Sequence, residues 1–177
     1  MNETKANKRQ NEALLLRLTG LAALVLVAVR LIGSGADVVA EAEQRWQDSA
    51  VSDYRIQVRE LQGTWCYYDV NTEVRGGQVV TSTITAHYGP ARGCWNYTGG
   101  VVEEPVGLSP ETAARWTVPG LFDIARQWED LGGDKDLEIA LEFDPKLGYP
   151  VRLFRDNTVA IDDQEGLSVV DFQVPER

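Results

Sequence analysis

Leu137 to Arg155 reads LEIALEFDPKLGYPVRLFR, and this stretch decides the fold. Leu137, Ile139, Leu141 and Phe143 alternate with Glu138, Ala140 and Glu142, the period of a strand with one buried face. Asp144-Pro145-Lys146-Leu147-Gly148 supplies a turn, and Val151 to Arg155 runs back as the second strand. Folding the segment about Leu147 sets Glu142 opposite Arg152, a cross-strand ion pair worth about 0.2–1 kcal/mol. A hairpin with so short a turn joins antiparallel strands.

Moving outward, Asp156-Asn157 predicts a further turn and Leu167 to Val174 a last strand. Upstream, Tyr54, Ile56 and Val58 alternate with Arg55, Gln57 and Arg59; Tyr68, Val70, Thr72 and Val74 do the same. Gly76-Gly77 then separates that run from Gln78 to His87, QVVTSTITAH, as a tight hairpin would require. Tyr88 to Leu108 has no sustained period and reads as a long loop. Two helices are expected beside the strands. Asp37 to Val51 carries Val38, Val39, Ala42 and Trp46 near helical spacing, with Ser52 and Asp53 ending it. Ser109-Pro110 starts a short helical turn to Trp116. Thr117 then caps a helix in which Leu121, Ile124, Ala125, Trp128 and Leu131 form one face, ending at Gly132-Gly133. The class is therefore α+β: an antiparallel sheet of β-hairpins with one or two packed helices, after an N-terminal transmembrane helix.

That leading segment is Ala13 to Ile32, ALLLRLTGLAALVLVAVRLI, whose twenty residues span roughly 30 Å as a helix, one hydrocarbon thickness. Arg17 and Arg30 sit near its ends, where long side chains reach the headgroups. Lys5, Lys8, Arg9 and Arg17 against Glu3 and Glu12 put the N-terminus in the cytoplasm. The expected organisation is a cytoplasmic tail over 1–12, a transmembrane helix or signal segment over 13–33, and an extracytoplasmic domain over 37–177. A cleaved secretory signal is the competing reading, secreting the domain, although Arg30, Leu31 and Ile32 make a poor approach to a cleavage site. No cysteine stands directly after the apolar core to take a lipid.

From Gly33 onward there are 12 basic and 25 acidic residues, a net charge of −13. Such a domain repels phosphate backbones, so nucleic acid is excluded as a partner. The bilayer, through the N-terminal helix, is one expected partner; an envelope protein or small ligand is the other. Cys66 and Cys94 are the only cysteines, and outside the cytoplasm such a pair forms one disulfide or stays as two thiols. Trp65 and Tyr67 flank the first and Trp95 and Tyr97 the second, so a bond would gather four aromatic rings into one surface patch, packing over the bridge or binding a ligand. Asn96-Tyr97-Thr98 matches a glycosylation acceptor. His87 is the only histidine, which leaves no His-rich metal cluster, and neither a nucleophile elbow nor HExxH occurs. Asp162, Asp163 and Glu165 are weak calcium candidates in a segment that reads better as a solvated acidic turn. No cofactor and no catalytic residue are expected.

Several of these features together are familiar. Trp46 on a helix before Asp53-Tyr54, a strand near Cys66, the Val-x-Val glycine hairpin, Thr117-Val118 with Leu121-Phe122, and Phe143-Asp144-Pro145-Lys146-Leu147-Gly148-Tyr149-Pro150 resemble a bacterial family, Domain of Unknown Function six-one-seven-four. The likeness covers roughly Glu41 to Val174, with Asp156, Asp162 and Asp163 in register. It implies a secreted or membrane-anchored envelope protein and no activity. Family members often carry a close Cys-x-Cys pair in the second strand, whereas Cys66 stands alone here. The leading functional expectation is a binding or interaction module of the cell envelope. The alternatives are an envelope hydrolase using carboxylates and a structural anchor domain.

Overall fold

The structure is a computed structural model in which residues 35–62, 66–87, 104–160 and 163–175 are described. Helix α1 covers Gly35–Asp48, and strands β1 (Tyr54–Gln62), β2 (Cys66–Arg75) and β3 (Gln78–His87) follow. Next come β4 (Val106–Gly107), α2 (Pro110–Ala113), a 3₁₀ turn (Ala114–Trp116), α3 (Val118–Asp130), β5 (Leu137–Phe143), β6 (Pro150–Asn157) and β7 (Glu165–Gln173). The apolar stretch Ala13–Ile32 lies outside the described residues, and among those described no helix is long and apolar enough to cross a membrane.

Seven strands form one sheet in the order β4-β3-β2-β1-β7-β6-β5, with every neighbouring pair antiparallel. Two three-stranded meanders, β1-β2-β3 and β5-β6-β7, thus meet along the β1–β7 seam, and the α+β antiparallel expectation holds. The β5–β6 hairpin has the register read from the sequence: Glu142 faces Arg152, and Arg152 Nη1 donates to Glu142 Oε1 at 3.0 Å. Gly76 and Gly77 turn β2 into β3 at φ of +55° and +75°, a conformation that side chains oppose.

Period-two alternation sends one set of side chains from every strand to a common face. Tyr54, Ile56 and Val58 of β1, Tyr68, Val70 and Val74 of β2, Ile84 and Ala86 of β3, Leu153 and Leu167 are all buried there. Helices α1 and α3 cover that face, contributing Val39, Ala42 and Trp46, and Val118, Leu121, Phe122, Ile124, Ala125 and Trp128, to the same core. Thr117 caps α3, its hydroxyl accepting from Gly120 N, and Ser109 caps α2 in the same way from Thr112 N.

The motif around Gly148 fastens the hairpin to α1. Asp144 Oδ1 accepts from Lys146 N at 2.9 Å and Leu147 N at 2.6 Å, closing the turn. Gly148 adopts φ +86°, and a Cβ there would stand 2.2 Å from Ala42 O, so the turn seats directly on helix backbone. Pro150 is fully buried beside it. Tyr149 stacks on Phe172 at 4.2 Å, Phe172 stacks on Tyr54 at 5.5 Å, and Trp46 meets Tyr54 edge-on at 5.6 Å.

Several expectations differ in detail. Helix α1 ends at Asp48 rather than Val51, because Ala50 takes a left-handed φ of +51°. Val38 is exposed, one position off the stripe formed by Val39, Ala42 and Trp46. Leu131 is exposed because it lies at the C-cap, past the last turn of α3. Asp156 and Asn157 belong to β6 and not to a turn, because their partners Glu138 and Leu137 extend the ladder that far. The last strand starts at Glu165 and ends at Gln173. Val106-Gly107 within the expected loop pairs with Ile84 and Thr83, an edge contact too short to leave a periodic signal.

Candidate functional site

The same alternation that fills the core sends the other side chains to the opposite sheet face, which no helix among the described residues covers, and register places them in rows across the strands. One row is Tyr67 (β2), Leu61 (β1), Gly166 (β7), Phe154 (β6) and Ala140 (β5). The next is Asp69, Arg59, Ser168, Arg152 and Glu142. Its charges read minus, plus, neutral, plus, minus, mirrored about Ser168.

Each arginine is held outward. Arg59 grips Asp69 through Nε at 2.8 Å and Nη2 at 3.0 Å, and its Cζ lies 4.2 Å above the Tyr67 ring centroid. This bidentate hydrogen bond pushes the Arg59 pKa further up. Arg152 is bonded to Glu142, with its Cζ 5.3 Å from the Phe154 centroid. Between the two guanidinium-topped rings lies a depression of about 270 Å³, lined by Arg59, Leu61, Tyr67, Arg152, Phe154, Gly166 and Ser168 among others. Its floor is Gly166. A Cβ there would meet Phe154 Cδ2 at 3.5 Å and Leu61 Cβ at 3.6 Å, ordinary contact, and its φ is not positive. Neither backbone strain nor crowding requires glycine, so what the residue contributes is open space above the strand.

A second depression of about 270 Å³ lies further along the same face, among Arg55, Gln57, Asn71, Glu73, Thr81, Thr83, Asp171 and Gln173. Its walls are polar and already bonded: Arg75 Nε donates to Glu73 at 2.9 Å, and Gln173 Nε2 donates to Asp171 at 2.8 Å. Arg75 and then Arg55 hold the Glu73 carboxyl below the usual carboxylate range. Glu111 is lowered as well, through its own backbone N–H and Ser109. Both shifts run opposite to what a carboxylate acting as a general acid at neutral pH requires.

The residues singled out from the sequence separate sharply. Tyr67 is on the bare face, under Arg59. Trp65, Cys94, Trp95, Asn96, Tyr97 and Asp162 lie outside the described residues; Cys66 opens β2 and His87 closes β3, so the Cys66–Cys94 pairing falls outside them too. Asp163 Oδ1 accepts from Asn157 N at 3.3 Å, and Glu165 is paired with Arg155 at 2.7 Å. Among the described residues no group of three or more His, Cys, Asp or Glu is placed to hold a metal. Asp144, Gly148, Tyr149 and Pro150 serve the hairpin–helix junction, and Pro145 is an exposed residue of the turn.

Sequence reading misses Gly166, Ser168 and Phe154 as surface residues, takes Arg59 only as an outward position and Arg152 only as the ion-pair partner of Glu142. A lone glycine inside a strand was the available signal.

No curated protein and no solved structure matches this chain. The profile described as "Family of unknown function (DUF6174)" matches residues 38–174. That span runs from α1 through β7 and includes the Asp144–Pro150 turn, its helix seat and both rows of the bare face, so the chain belongs to the DUF6174 family.

Proposed function

We propose that this chain is a membrane-anchored, extracytoplasmic interaction module that works through the bare face of its sheet. The observation carrying the reading is the asymmetry of the sheet: helices cover one face, while the other holds an open depression between Tyr67 and Phe154 with a guanidinium over each ring. Aromatic and arginine side chains bury large contact area at low entropic cost and are enriched where proteins bind. The apolar stretch Ala13–Ile32 and the basic residues before it support the location.

Two measurements test this reading. Protease added to intact cells is expected to remove the C-terminal domain; protection of that domain refutes the location. A photo-crosslinking side chain at Ser168, on the bare face, is expected to give a discrete adduct that Gly166→Val suppresses, whereas one at exposed Gln127 of α3 gives none. Equal labelling at both positions, or none at Ser168, refutes the role of this face.

A further inference from the structure

We infer that the Tyr67–Phe154 depression is a binding site for a carboxylate carried on an apolar group, with Ser168, Arg59 and Arg152 taking the acid and Leu61, Gly166 and the two rings taking the body. This rests on the bare face being the working surface and adds the chemistry of what it binds.

The first argument is charge at short range. Arg59 and Arg152 flank Ser168 across two strand spacings, about 10 Å between Cα atoms. Their carboxylate partners, Asp69 and Glu142, lie one strand further out on either side. Among the described residues, the charged side chains flanking Ser168 in its row are therefore the two guanidiniums. The domain's overall acidity is screened over a Debye length of about 8 Å at physiological salt.

Spare hydrogen-bonding capacity is the second. Arg59 bonds Asp69 through Nε and Nη2, leaving Nη1, and Arg152 bonds Glu142 through Nη1, leaving Nε and Nη2. Among the described residues these nitrogens and the Ser168 hydroxyl take no hydrogen-bond partner. A carboxylate accepts from all three residue types.

The third is shape. The row beside the arginines is apolar, with Leu61 and Phe154 bordering the missing Gly166 side chain. A guanidinium lies over each ring, which disfavours stacking of a neutral sugar, and the Phe154 edge, Leu61 and the Gly166 backbone offer apolar surface to the ligand body. Two sources share this chemistry: a free small acid and the C-terminus of a peptide ending in an apolar residue.

The test is an amide-shift titration of the full chain in nonionic detergent with four probes: 3-phenylpropionate, its uncharged amide, acetyl-Ala-Phe with a free carboxylate, and the same dipeptide as its amide. Saturable shifts at Leu61, Gly166 and Ser168 are expected for an acid and at least about tenfold weaker binding for its amide, the scale of one charge-assisted hydrogen bond. Tighter binding of the dipeptide acid assigns the source as a chain end, and of 3-phenylpropionate as a free acid. Gly166→Val, which fills the floor, and Arg152→Gln, which leaves a solvent-exposed Glu142, are each expected to weaken acid binding about tenfold or more. Acid and amide binding alike would overturn the inference while leaving the bare face as the interaction surface. Acid-induced shifts confined to other residues would overturn it, as would concentration-dependent shifts without probe, which would make a second copy the occupant. The wider reading is overturned instead by the absence of a Ser168 crosslink without the Gly166 substitution, or by equal labelling at Gln127.

Discussion

Replacing Gly148 by alanine probes the junction on which the two layers depend. The new Cβ would stand 2.2 Å from Ala42 O, 2.9 Å from Arg45 Cβ and 3.0 Å from Trp46 N, so it meets helix backbone that has no flexible end to yield. Backbone φ of +86° adds about 1–2 kcal/mol for a residue with a side chain. Forcing a methyl group into a filled contact adds about 1–3 kcal/mol, for a loss of about 2–5 kcal/mol. At about 4 °C per kcal/mol for a domain of this size, the melting temperature should fall by about 8–20 °C. The assay is thermal unfolding of the full chain in nonionic detergent, followed by tryptophan fluorescence, since Trp46 stands at the joint. Gly133→Ala is the control: nothing lies within 4 Å of its Cβ and its φ is not positive, so it should cost under about 1 kcal/mol. A Gly148→Ala protein that melts within about 2 °C of the parent refutes the clamp.

Three further outcomes follow from the same geometry. Thr117→Ala removes the hydroxyl that accepts from Gly120 N at 3.3 Å and should lower urea stability by about 0.5–2 kcal/mol, whereas Thr117→Ser should retain most of it. Trp116→Phe takes the indole N–H from Glu60 Oε2, a buried contact of 2.7 Å, and should cost about 1.5–3 kcal/mol or more by urea unfolding; a neutral result would mean that the carboxylate does not rely on it. Burial raises the pKa of Tyr54, with smaller opposing effects from Val118 and Thr117; burial also raises Tyr68 and Tyr149. Folding therefore favours the protonated phenols, and their contribution is complete below the unfolded tyrosine value of about 10 and is lost as pH rises through the folded values. The urea midpoint should drop between pH 9 and pH 11, and Tyr54→Phe should flatten that drop without abolishing it; a midpoint that rises with pH contradicts the assignment.

Local chemistry was enough for the elements. LEIALEF, the Gly76-Gly77 pair, Ser109 and Thr117 each act through neighbours within a few residues, and the Glu142–Arg152 pairing follows from counting back around Leu147. Helix faces are legible to within one position: Val38 fits the helical spacing yet is exposed, and Phe122 falls beside the expected face yet is buried. Elements of two residues, such as Val106-Gly107, carry no period to read.

By itself, then, the sequence determined the α+β class, the hairpins, the caps and the family, because backbone periodicity and turn residues are short-range properties of the chain. Only the tertiary structure decided what the outward residues do. The β1–β7 seam joins strands more than 100 residues apart, and it alone brings Arg59 and Tyr67 to face Arg152 and Phe154 across Gly166. It also turned Gly148 from a turn residue into a helix seat. Pairing between distant strands is set by the sum of core contacts over the whole sheet, and no local window of residues contains that sum.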